Sequence, residues 1–89
     1  MSHVIQNKKK LLQRARRVQG QVAALVTALE EERDCGSVLQ QIAACRGAIH
    51  GLMTEVLEGH VSCHLTLDDP DERRKSADEI LQLVRTYMR

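Results

Sequence analysis

The 89 residues contain no Phe, no Trp, one Tyr and one Pro. With Tyr87 as the sole aromatic, the chain offers no platform on which exposed bases can stack, which argues against single-stranded RNA or DNA as a ligand. The apolar residues are Ala, Val, Leu, Ile and Met, and so short a chain buries little of them alone. Oligomerisation is the natural remedy. No apolar run approaches the roughly 18 residues of a membrane span, so no membrane partner is expected. The N-terminal segment carries charge where a secretory leader needs an apolar core, and this points to a cytoplasmic protein. The cysteine count is three, an odd number, and a reducing cytosol keeps thiols free. Cysteine with histidine in that setting indicates metal or reactive-thiol chemistry rather than disulfides.

What is present is helical. Leu11, Ala15, Val18, Val22, Leu25 and Leu29 recur at steps of four and three, a stripe that predicts a first helix from about residue 6 to Glu31 or Glu32. Asp34 can cap a second helix, and Val38, Leu39, Ile42, Cys45, Ile49, Leu52, Met53, Val56 and Leu57 carry the pattern on to His64. That helix would be about 45 Å long and needs a partner along its length. Asp69 followed by Pro70 is a start signal for a shorter third helix, with Ser76 an alternative start. No strand alternation, internal repeat or low-complexity segment interrupts this reading, which is of one all-α domain over residues 1–89.

Cys35, His60 and His64 carry the strongest chemical signal. The two histidines are four residues apart and share one helix face. Cys35 lies 25 residues before His60, about 37 Å along a continuous helix. A metal holds its ligands at roughly 2.0–2.3 Å, so one chain cannot close the set. Two antiparallel copies can. A two-fold axis near Gly47 and Ala48 pairs residue i with about residue 95−i, which sets Cys35 of one chain beside His60 of the other and repeats the site at the far end. Ala43, Ala44, Gly47, Ala48 and Gly51 cluster near that axis, where small residues let two backbones approach. Thiolate with imidazole suits nickel, cobalt, zinc or copper and not magnesium or calcium. Cys63 could flank the site or be a half-buried helix thiol. Cys45 belongs on the apolar stripe, and His50 lies off the His60 face. The segment His60-Val61-Ser62-Cys63-His64 lacks the Glu of a His-Glu-x-x-His metalloprotease motif, so no enzymatic activity and no small-molecule substrate are expected.

Net charge is only +1, but the first 20 residues hold Lys8, Lys9, Lys10, Arg14, Arg16 and Arg17 and no acid. Lys10, Arg14 and Arg17 share a face. Such a stripe is a solvated helix surface in a single chain, whereas repeated in an oligomer it can span a duplex phosphate backbone.

Arg16-Arg17-Val18-Gln19-Gly20-Gln21-Val22 resembles a signature segment of the CsoR/RcnR/FrmR transcriptional repressors. So do Cys35 with Val38-Leu39-Gln40-Gln41-Ile42-Ala43-Ala44, Arg46-Gly47-Ala48 and Gly51-Leu52-Met53, and His60 follows at the family's spacing. The resemblance covers nearly the whole chain. It implies a three-helix protomer with long first and second helices, an antiparallel dimer and a tetramer built as a dimer of dimers. It also implies a repressor that binds double-stranded operator DNA and releases it on sensing a metal or an electrophile.

The sensor positions here are His3, Cys35, His60 and His64, a combination similar to the nickel/cobalt branch, RcnR. DNA contacts then fall to Lys10, Arg14 and Arg17, with Arg46 added, and the regulated gene to a metal exporter. The chain departs from that branch at Cys63, where an acid is usual. A second thiol there would favour zinc or cuprous ion. His50 also departs, standing where the family has Asn. The competing reading is a formaldehyde or other electrophile sensor in which Cys35 reacts instead of coordinating.

Overall fold

A computed structural model describes residues 7–64 and 67–88, with the backbone alone at His64. Three helices make up the described chain: α1 (Lys8–Glu30), α2 (Cys35–His64) and α3 (Pro70–Tyr87). No strand occurs among the described residues. The all-α architecture and the long first and second helices agree with the sequence pattern, and both expected start signals hold. The Asp69 carboxylate accepts the backbone N–H of Asp71 at 2.9 Å with Pro70 in the first turn, so α3 opens there and Ser76 lies buried inside it. Asp71 and Glu72 near its start and Arg85 near its end complement the helix dipole.

The described chain falls into two compact units, Lys8–Leu52 and the part from Met53 onward. The first is an antiparallel helical hairpin. Its turn ends α1 with paired bonds, Arg33 N–H to Ala28 C=O at 3.0 Å and Glu32 N–H to Leu29 C=O at 3.1 Å. This is the Schellman pattern, in which the residue after the cap takes left-handed backbone angles and is usually glycine. Here it is Glu32, with φ of 52°.

Burial marks the seam of the hairpin. Val18, Gln21, Leu25 and Ala28 of α1 turn inward and run opposite Val38, Gln41, Cys45 and Ala48 of α2. The apolar stripe predicted for α1 is therefore corrected at two positions: Val22 and Leu29 are 43% and 56% exposed, and Gln21 and Ala28 take the inward places. The reason is geometric. A straight helix repeats every 3.6 residues, so a line read at steps of four and three drifts off the buried face. At the centre of the seam the side-chain amide of Gln41 donates to Gln21 Oε1 at 2.8 Å and to Gln21 C=O at 2.9 Å.

Among the described residues no large side chain is fully buried, and only Leu11, Ala28, Cys45 and Ile80 count as buried apolar residues. Second apolar faces stay open: Val22, Val26 and Leu29 on α1, and Leu39, Ile42 and Ile49 on α2, each set at helical spacing. No helix of the described residues is long and apolar enough to cross a membrane.

Candidate metal and DNA sites

Cys35 is the first residue of α2 and is exposed. The cap before it fixes its backbone. Asp34 accepts the Ser37 backbone N–H at 3.1 Å and the Ser37 hydroxyl at 2.7 Å, while its own C=O receives Val38 N–H at 3.1 Å. These bonds hold the Asp34 carboxyl below its ordinary value of 3.8, the Ser37 hydroxyl contributing most and the Ser37 backbone N–H next. A Cβ at Gly36 would come within 3.2 Å of Asp34 Oδ2, so a larger residue there would require the capping carboxylate to shift by a few tenths of an ångström.

The other sulfur and nitrogen donors lie near the far end of the same helix. His60 is half-buried and its Nε2 is shielded from solvent. Cys63, one turn on at the adjoining edge, is also half-buried. His64 is the last residue of α2, and its side chain is outside the described structure. His3 lies outside the described residues. Because α2 runs unbroken over 30 residues, the 25-residue step from Cys35 to His60 covers about 37 Å of helix. Among the described residues, no three His, Cys, Asp or Glu side chains of one chain are grouped to hold a metal. Cys45 is buried, as its place on the stripe predicts, and His50 is exposed. The donor types fit a borderline transition metal, since thiolate and imidazole are what such ions select.

On α1, Lys10 and Arg17 are exposed and Arg14 is half-buried, and the three line one open groove with Gln13. Lys10 and Arg14 also engage partners within the chain. Arg46 is exposed on α2 and lies outside the lining of that groove. Arg14 departs from a simple solvated stripe. Its guanidinium reaches α2, where Nη1 lies 2.9 Å from the position a Cβ at Gly51 would occupy. The sequence reading assigned Gly51 to the close approach of two chains, and here the space is taken by a side chain of the same chain. Gly47, by contrast, has nothing within 4 Å of its Cβ position. Sequence reasoning also missed the Gln21–Gln41 contact. Two glutamines sharing the inward face of neighbouring helices were the available signal.

Residues 7–86 match the sequence pattern of metal-sensitive transcriptional repressors. The chain belongs to that family. Membership makes it a transcriptional regulator and not an enzyme, with a response to metal as the family's defining property. It is 46% identical over 90 residues to the transcriptional repressor RcnR of Escherichia coli, with the whole of both chains covered. It is 50% identical over 91 residues, again end to end, to a Serratia marcescens protein encoded in the bioA 5′ region. Among solved structures it resembles a variant of the formaldehyde-responsive regulator FrmR from Salmonella enterica serovar Typhimurium. That match has a TM-score of 0.77 and 48% identity and covers 92% of this chain and 94% of the other.

Proposed function

We propose that this member of the family is a cytoplasmic nickel- or cobalt-responsive repressor. It assembles as a homotetramer, a dimer of antiparallel dimers, and each protomer is a single domain. The apo form holds double-stranded operator DNA, and nickel or cobalt bound between subunits releases it and derepresses a metal exporter. The unbroken α2 carries this reading. Cys35 opens the helix and His60 and His64 close it, so the donors that the family's metal response requires can meet only when a second copy runs antiparallel. Open apolar faces support the same assembly: Val22, Val26 and Leu29 on α1 and Leu39, Ile42 and Ile49 on α2 are exposed.

In this reading Cys35 of one protomer faces His60 and His64 of its partner, and His3 completes the donor set. Cys63 is a further thiol within reach of the same end of α2, and its use would shift preference toward zinc or cuprous ion. The bound ion supplies the charge that draws these donors together. Lys10, Arg14 and Arg17, joined by Arg46, contact phosphates. The ion releases DNA only if it favours the conformation that does not bind, with a coupling of roughly 1–3 kcal/mol typical of linked sites.

The test is a competition of nickel, cobalt, zinc and cuprous ion for release of bound DNA, repeated with Cys35→Ala. Nickel or cobalt should release DNA from the native protein and fail with the variant. Undiminished nickel and cobalt affinity in Cys35→Ala would remove the central ligand. The likeness to a formaldehyde-responsive regulator favours one second reading, in which the exposed Cys35 thiol reacts with an electrophile. Release of DNA by formaldehyde in metal-free buffer, with no release by nickel or cobalt, would select it.

A further inference from the structure

Two interior glycines of the hairpin, Gly20 and Gly47, have nothing within 4 Å of the position a Cβ would take. Gly51 differs: its Cβ would stand 2.9 Å from Arg14 Nη1, closer than side-chain carbons approach in real proteins. Arg14 differs among the α1 cations in the same way. Lys8, Lys9, Lys10, Arg16 and Arg17 are all exposed, whereas Arg14 is half-buried. Lys10 stands one turn before Arg14 and Arg17 nearly one turn after it, and all three line the same open groove.

We infer that Gly51 is a positioning residue that seats the Arg14 guanidinium in the groove it shares with Lys10 and Arg17, so that a phosphate meets a preset cation. The inference rests on the reading of Arg14 as a DNA contact. An arginine free in solvent loses rotamer freedom when it docks on a phosphate, and one already laid against α2 has given up part of that freedom on folding. The seat needs a residue without a Cβ. A Cβ at position 51 displaces the guanidinium from this seat, and the atom that must move is the tip of a flexible side chain.

Four full-length proteins test this: native, Gly51→Ala, Arg14→Ala and the double variant, with Gly20→Ala as a control. Binding to a mixed-sequence DNA duplex is followed by fluorescence anisotropy across a salt series, and folding by circular dichroism. Alanine favours helix over glycine, so Gly51→Ala should be at least as helical and as heat-resistant as the native protein. Its DNA affinity should nevertheless fall about 2- to 10-fold, the range expected for one side chain that must now be ordered on binding. Arg14→Ala should weaken binding and flatten the log–log salt slope by about 0.9, one phosphate contact. On the Arg14→Ala background, Gly51→Ala should have no further effect, and Gly20→Ala should leave affinity unchanged throughout.

Native affinity or tighter binding in Gly51→Ala, while Arg14→Ala weakens it, overturns the seat and leaves Arg14 as a contact. An equal loss from Gly51→Ala with and without Arg14 overturns it too, as does loss of helical signal in Gly51→Ala. If Arg14→Ala changes neither affinity nor slope, the reading of Arg14 as a DNA contact fails first.

Discussion

The turn between α1 and α2 makes a prediction with a definite size. Glu32 holds the left-handed position of the Schellman turn at φ of 52°. For a residue with a Cβ this region costs roughly 1–2 kcal/mol, which glycine avoids. Glycine gives back about 0.5–1 kcal/mol through the extra freedom of the unfolded chain. The bonds that define the turn, from Glu32 N–H and Arg33 N–H, are backbone bonds and survive the substitution. Glu32 is exposed, so no packing is lost. Glu32→Gly should therefore stabilise the fold by about 0.5–1 kcal/mol, or roughly 2–8 °C in Tm for a chain of this size. Glu32→Ala separates backbone from charge: it removes a carboxylate from the Glu30, Glu31, Glu32 and Asp34 cluster but keeps the Cβ. The assay is thermal and urea unfolding of the three proteins at one fixed concentration, because association shifts the midpoint by mass action. If Glu32→Ala gains as much as Glu32→Gly, charge relief explains the change and the conformational argument is refuted.

Three other outcomes are expected. Asp34→Ala should lower stability at neutral pH. The folded Asp34 carboxyl lies below its ordinary 3.8, so its contribution is complete above that value and is lost as pH falls through the lower folded value; the gap between native and variant should close only in that acidic window. A gap that persists unchanged into strong acid would show that the cap bonds are not its source. Gln41→Ala should cost about 1–2 kcal/mol by leaving the part-buried Gln21 amide oxygen without its donor, and an unmoved urea midpoint would contradict this. Cys35→Ala should abolish nickel- or cobalt-driven release of DNA while leaving apo binding intact, which anisotropy measures directly.

Helix boundaries were legible because their signals are local. Asp34 with Ser37, and Asp69 with Pro70, satisfy backbone N–H groups two or three residues away, so the residues that start a helix sit together in the sequence. The hairpin seam was only partly legible. Steps of four and three identify a helix but do not say which of two adjoining faces a neighbour will cover, so Gln21 and Ala28 displaced Val22 and Leu29. The left-handed turn gave no signal at all, since no glycine marks it. The seat under Arg14 joins residues 37 apart in sequence, and no local pattern specifies which α2 residue an α1 side chain will reach. For the donor set, spacing along one helix states a separation and nothing about what would close it.

The paired amides at the middle of the hairpin have a consequence of their own. Val18, Leu25 and Ala28 facing Val38, Cys45 and Ala48 are modest in size, and two such surfaces could slip by one helical turn, about 5.4 Å, with little loss of contact. Gln41 and Gln21 cannot slip with them, because a displaced amide would leave its acceptor stranded in a part-buried seam. The pair acts as a vernier mark. It sets the phase in which α1 and α2 are read against each other, and a protein with this aliphatic surface and a different pin could hold the same two helices one notch out of step.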